Sequence, residues 1–249
     1  MGYLAIIGGS GFATMPELEV LDACLVDTRY GSPSAQLIRG RLAGHDLVFL
    51  PRHGSGHAIP PHRINYRANI QALADAGVDR IVALAAVGGI ADDCGPLVLC
   101  VPDQLIDYTH GRDNTFHDGI DSGVVHVDFS YPYSASLRRQ LLDSARENDL
   151  AVRDGGTYAV TQGPRLETVA EICRLQHDGC ELVGMTAMPE AALARERGIA
   201  YATLAFVVNW AAGKCDGEIG MDEINANLAR CAADVRRLLV TLASQPPPH

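Results

Sequence analysis

The sequence predicts an α/β fold, a mostly parallel or mixed β-sheet with helices on both sides. Three observations predict it. Short apolar runs alternate with helical patterns along the 249 residues. The helical patterns carry their own punctuation: Gly77 follows Asn65 to Ala76, and Pro189 opens a helix to Arg197 with Gly198 just past its end. Several apolar runs end in glycine-rich segments, Gly8-Gly9-Ser10-Gly11 and Gly88-Gly89 among them, and ligands of such sheets sit outside the carboxyl ends of strands.

In chain order, Tyr3 to Ile7 reads as a strand, and Leu47 to Leu50 as another running into Pro51-Arg52-His53-Gly54. Asn65 to Ala76 is helical and Arg80 to Val87 a strand. Val98 to Ile106 reads as a strand pair or a bent strand, Leu137 to Asn148 as a helix, and Thr157 to Thr161 as a strand. Leu166 to His177 is helical, Pro189 to Arg197 helical, Tyr201 to Val208 a strand, and Asp222 to Leu242 a long last helix. Residues 1–243 are expected to form a single domain. Residues 244–249, with Gln245-Pro246-Pro247-Pro248-His249, read as a disordered tail.

Composition bounds the function classes. With 47% hydrophobic residues the chain can bury a sizeable core. Its longest apolar runs, such as Ile81 to Val87, are too short to cross a bilayer, and the N-terminal segment has no basic leader, so a cytoplasmic protein is expected. The seven cysteines are odd in number and none has CxxC spacing, which disfavours a disulfide framework or a zinc ribbon and favours reduced thiols. A net charge of −10 repels nucleic acid, phospholipid and phosphate alike. Any anion must therefore be held by a local site that overcomes the global field.

Four separated segments offer such a site. Gly8-Gly9-Ser10-Gly11 supplies approachable backbone N–H groups and the Ser10 hydroxyl, or is simply a tight turn. Arg52-His53, with His57 nearby, supplies a fork matched to phosphate oxygens and ring nitrogens that can donate; alternatively it is a surface arginine beside a loop histidine. Ala85-Ala86-Val87-Gly88-Gly89 places small residues at the end of a buried strand, so that the Ala86 amide can face a ligand, or is an ordinary strand-to-loop turn. Thr186, just before Pro189-Glu190, sits near a helix N-terminus, as anion ligand or as cap.

These segments carry a resemblance. Ile6-Ile7-Gly8-Gly9-Ser10-Gly11, Pro51-Arg52-His53-Gly54, Asn65-Tyr66-Arg67-Ala68-Asn69, Gly163-Pro164-Arg165 and Gly184-Met185-Thr186-Ala187-Met188-Pro189-Glu190 resemble, in order and spacing, the methylthioadenosine phosphorylase branch of the purine nucleoside phosphorylases. The resemblance spans nearly the whole chain. It implies a twisted mixed sheet, partly closed into a barrel and flanked by helices, usually assembled as a homotrimer. It implies that Ser10, Arg52, His53, the Ala86 amide and Thr186 surround one phosphate, with Met185 along the ribose; Ala85 and Leu166 are further candidate substrate-binding residues. No cofactor, metal, nucleic acid or membrane is expected: inorganic phosphate is a co-substrate that attacks C1′ of a nucleoside, and positioning and electrostatics supply the catalysis.

The base site departs from the adenine-specific members. Where they carry an Asp-x-Asp pair, this chain has Asn209-Trp210-Ala211, and the Asn209 amide both donates and accepts. Where they carry a small hydroxyl residue, this chain has Glu167 after Leu166, as do relatives that cleave inosine and guanosine. A carboxylate accepts from N1–H of a 6-oxopurine but meets the N1 lone pair of adenine, a mismatch of ~1–3 kcal/mol. Otherwise Glu167 is a solvated first-turn acid and Asn209 a turn residue. At the sugar end, Met221 and Ile224 stand near the place of the histidine that binds a 5′-hydroxyl, which suits an apolar 5′ group unless both are core residues. His126 matches a residue that family members lend to a neighbouring subunit. The expected reaction is phosphorolysis of S-methyl-5′-thioinosine, with S-methyl-5′-thioadenosine as the alternative substrate. A nucleoside-binding sensor on the same fold and a plain hydrolase are the other classes. Asn209, Glu167 and His53 are the expected catalytic residues.

Overall fold

The computed structural model describes residues 2–119 and 123–246. Its elements in order are β1 (Tyr3–Gly8), β2 (Glu19–Cys24), β3 (Leu37–Leu42), β4 (His45–Pro51), α1 (Tyr66–Asp75), β5 (Val78–Gly89), β6 (Leu99–Val101), β7 (Gln104–Asp107), α2 (Ala135–Glu147), β8 (Val152–Asp154), β9 (Thr157–Val160), α3 (Val169–His177), β10 (Leu182–Gly184), α4 (Ala187–Glu196), β11 (Ala200–Trp210) and α5 (Met221–Ser244). The strands form one mixed sheet that forks at β5.

Side-chain alternation along the central strands builds a core on each face. Ile7, Ala83 and Ala205 face one way, against Ile70 and Leu73 of α1 and Ala191 and Ala194 of α4. Ile6, Val82, Leu84, Leu204 and Phe206 face the other, against Leu137 and Leu141 of α2 and Val235 and Leu238 of α5. A smaller third core sits under α3, where Ile172 and Leu175 pack on Val183 and Ala211. Helix caps agree with the local sequence: Asn65 accepts from Ala68 N–H, and Thr168 and Glu171 form a reciprocal capping box.

One edge of β5 is shared by two neighbours. β1 runs parallel to it as far as the Ile7–Ala83 pair, and β10 joins antiparallel only at Val183–Gly88. β11 covers the opposite edge from Arg80 to Gly89. Residues 84–87 are thus left without a strand on the first edge. Because β10 runs against β5, its carboxyl end and the carboxyl ends of β1, β4 and β5 all approach this opening, which is the fork-point geometry that binds ligands in α/β sheets.

Three expectations are corrected. The helix expected from Leu166 begins at Val169, so Glu167 lies in the loop before it. Asn209 lies inside β11, not in a turn. Ser244, expected in the tail, ends α5, and Gln140 Nε2 donates to Pro246 O at 2.6 Å, so the described part of that tail is held; residues 247–249 lie outside the described residues. Four strands gave no sequence signal. β2 is exposed on both faces, β8 and β10 are three residues long, and β3 is interrupted by Gly40.

Candidate active site

The opening beside residues 84–87 is lined by the loops that follow the strands. Gly9, after β1, passes so close that a Cβ there would lie 2.5 Å from Leu84 O and 3.0 Å from Arg52 Nη1. Only glycine lets this backbone approach. Leu84 O points into the opening, since it accepts from Arg52 Nη1 at 2.8 Å. Backbone groups two residues apart in a strand face the same edge, so the Ala86 amide faces the opening too. Ala85 is buried in the first core and Ala86 is half-buried.

Arg52 follows β4 and is fully buried. Its Nε and Nη2 donate to the two oxygens of Glu190 at 2.8 Å each. Tyr201 OH donates to Glu190 Oε1 at 2.8 Å. Of five N–H groups, one on Nη1 and one on Nη2 remain for a ligand. The carboxylate beside it raises the Arg52 pKa, so the guanidinium stays charged despite burial. Glu190 belongs to the first turn of α4, whose N-cap is Thr186. The ion pair thereby joins two segments 138 residues apart.

His53 is buried, and its Nδ1 lies 2.9 Å from Ile59 O. A carbonyl only accepts, so Nδ1 carries a proton. Burial, helped by the neighbouring Arg52 charge, pulls the ring pKa down to about 4. At neutral pH His53 is therefore an uncharged ring with an accepting Nε2, not the charged double donor it could have been. The His57 ring packs against it with centroids 4.3 Å apart, and His57 Nε2 reaches 3.5 Å from Ser10 Oγ. Thr186 makes no side-chain cap bond, and its buried side chain lies against the buried Tyr158 hydroxyl.

A second group of polar side chains lies in the loops after β9 and β10. Thr161 N–H donates to Gly184 O at 2.8 Å, and Thr161 Oγ1 donates to Glu167 Oε1 at 2.6 Å. Burial pushes the Glu167 carboxyl above the usual carboxylate range. With Thr161, Gln162 and Gly163 it lines a cavity of about 490 Å³ that extends toward Tyr108; Arg52, Thr186, Met185 and Asn209 are not part of that lining. Met185 leans on the same loop, since a Cβ on Gly163 would collide with its Sδ. Asn209 is buried opposite Gly88, and Gly88 lies between the Val183 side chain and the Asn209 amide. Its Nδ2 donates to Trp210 O at 2.7 Å, leaving one N–H and Oδ1 for a base. Ala211 is buried beside Val183 in the third core.

Other expected residues fall elsewhere. Met221, first in α5, is 62% exposed, and Ile224 is buried in the second core; neither lines the cavity described here. The helix turns Ile224, with the rest of its apolar stripe, onto the sheet. Leu166 is exposed. His126 is exposed in an irregular stretch.

One connecting residue carries no motif of its own. Arg112 donates from Nε to Gln162 Oε1, from Nη2 to Gln162 O at 2.9 Å, and from Nη1 to Met185 O at 2.9 Å and Met188 O at 2.5 Å. It ties the Thr161–Gly163 loop to the Met185–Met188 loop, and it lies over the Tyr66 ring at 5.4 Å. It sits in a stretch with neither period nor motif, so nothing local marked it.

Residues 3–244 match the family model described as the Phosphorylase superfamily. The chain is 52% identical over 241 residues, 96% of each chain, to a probable S-methyl-5′-thioinosine phosphorylase of Xanthomonas campestris. It is 41% identical to a 6-oxopurine nucleoside phosphorylase of Pyrococcus furiosus, over 96% of this chain and 91% of the relative. A solved methylthioadenosine phosphorylase from Schistosoma mansoni, in complex with adenine, superposes with a TM-score of 0.94 at 31% identity, covering 98% of this chain and 91% of that one. With a family match over residues 3–244 and relatives and solved structures similar over almost the whole chain, the chain belongs to the phosphorylase superfamily, on the branch of the purine and methylthionucleoside phosphorylases.

Proposed function

We propose that the protein is an S-methyl-5′-thioinosine phosphorylase. Phosphate lies in the opening beside Leu84–Val87, held by Arg52, Ser10, Thr186 and the Ala86 amide. One of its oxygens bonds C1′ as the C1′–N9 bond breaks. Hypoxanthine leaves having gained the proton that phosphate gives up, and 5-methylthioribose 1-phosphate remains. No protein nucleophile or cofactor is invoked; fixed donors stabilise charge as it moves from phosphate to purine.

The observation that carries the base assignment is the placement of Glu167. It sits off the helix, half-buried, with its Oε1 bonded by Thr161. Its second oxygen suits the N1–H of a 6-oxopurine, while Asn209 offers an N–H to O6 or N7. The names of the Xanthomonas and Pyrococcus relatives agree. The Schistosoma structures favour the other reading, a methylthioadenosine phosphorylase. Side-by-side turnover of methylthioinosine, methylthioadenosine and inosine decides between them. Phosphate-dependent hypoxanthine release with the highest kcat/KM for methylthioinosine is expected. Preference for methylthioadenosine would overturn the base assignment, and binding without turnover would favour a sensor.

The 5′ wall and the oligomer belong to this reading as well. Val124, Val125, Val127 and Tyr131 expose apolar surface around His126, which fits a segment that docks on another copy. A homotrimer in which His126 reaches a neighbouring site is expected, and light scattering on the purified protein checks it. The seven cysteines are free, which suits the reducing cytoplasm.

A further inference from the structure

β11 and β5 keep a regular register from Ala200–Arg80 to Val207–Val87, and then Asn209 pairs with Gly88. Val208 is the extra residue, a β-bulge that re-aims the side chains after it. The Val208 side chain is buried in the second core, so its carbonyl is far from solvent and off the regular ladder. Asn227 Nδ2 donates to that carbonyl at 2.9 Å. Asn227 is itself buried, on the stripe of α5 that carries Ile224, Cys231 and Val235 into the core. A leucine-sized apolar residue would normally fill such a position.

We propose that Asn227 is a positioning residue for the base site: it holds the Val208 bulge and so fixes where Asn209 presents its amide. An unpaired buried carbonyl is costly, and a strand can escape that cost by slipping register. A one-residue slip here would carry Asn209 from Gly88 to Gly89 and turn its side chain off the base. Asn227 removes the reason to slip. Its effect should therefore appear in base recognition and not in phosphate binding, because Arg52, Ser10 and Thr186 sit on other strand ends. The inference rests on the proposed role of Asn209, and the test separates the two.

The test compares Asn227→Leu, which fills the volume without a donor, with Asn227→Gln, which keeps one, and with Asn209→Ala. Trp210, the sole tryptophan, adjoins Asn209, so its fluorescence reports hypoxanthine binding. Asn227→Leu is expected to lower kcat/KM for methylthioinosine about tenfold and weaken hypoxanthine binding similarly. It should shift the methylthioinosine to methylthioadenosine ratio in the same direction as Asn209→Ala, with phosphate KM within about twofold of wild type. Asn227→Gln should restore most of the loss. If Asn227→Leu fails to fold, Asn227→Ala makes the same comparison. A ratio unchanged by the Asn227 variants but moved by Asn209→Ala overturns the proposal and leaves the Asn209 role standing. A ratio moved by none of them removes both.

Discussion

Glu190 accepts from both Nε and Nη2 of Arg52 at 2.8 Å, and neither side chain is more than 1% exposed. The pair is two-sided in function. It cancels the arginine's net charge inside the core, and it turns the two unused N–H groups toward the sheet opening. Breaking a buried pair leaves one charge uncompensated, at a cost of about 3–5 kcal/mol.

Glu190→Ala is therefore expected to lower stability by about that amount in chemical unfolding. Glu190→Gln keeps one acceptor and Arg52→Lys keeps the charge but loses the fork. Both should fold, and both should raise the phosphate KM by roughly 10- to 100-fold, the equivalent of one charge-assisted hydrogen bond. The nucleoside KM at saturating phosphate should change much less. Steady-state kinetics with phosphate varied checks this.

Glu167 gives the base preference a pH dependence. Burial raises its pKa above the ordinary carboxylate value. Above that pKa the carboxylate accepts from N1–H of hypoxanthine; below it, the protonated acid donates to the N1 lone pair of adenine. The ratio of kcat/KM for methylthioinosine over methylthioadenosine should therefore rise as pH increases through the Glu167 pKa. Glu167→Gln, which does not titrate, should flatten that slope. A pH series of both substrates on both proteins makes the comparison.

The central strands and most helices were legible because their burial is one-sided or complete: Ile6 and Ile7 on β1, and Val82 to Leu84 on β5, feed both cores. β2 was not, since all but one of its residues are exposed and no face imposes a period. The start of α3 was in fact written in the chain, as Thr168 followed three residues later by Glu171, a capping-box pattern. The proposed phosphate ligands were legible by resemblance only. Their convergence depends on a fork in the sheet and on an arginine–glutamate pair far apart in sequence, which no local window contains. The 5′ residues were the least legible, because Met221 and Ile224 differ in exposure within one helical turn.

His53 sets an acid limit on stability. Its pKa in the folded protein is about 4, against about 6.5 when unfolded. The unfolded chain takes up the proton first, so the stability His53 contributes is complete above pH 6.5 and is lost as pH falls toward 4. Its full extent is about 3 kcal/mol. His53→Asn keeps a donor for Ile59 O and cannot titrate. The fall in unfolding free energy between pH 7 and 4.5 should be smaller in that variant than in wild type, as measured by urea titration at each pH.

Arg112 should couple the two substrate sites. One guanidinium holds the Gln162 carbonyl on the base loop and the Met185 and Met188 carbonyls on the loop that leads into Thr186. A lysine has three donors on a single nitrogen and cannot span both loops. Arg112→Lys is expected to raise the KM for nucleoside and for phosphate together, by about tenfold each, the loss of roughly one hydrogen bond to a charged donor on each side. In Arg112→Ala, added guanidinium ion should recover part of the activity by refilling the site. A rise in one KM alone would show that Arg112 supports a single loop and that the loops are held together by other contacts.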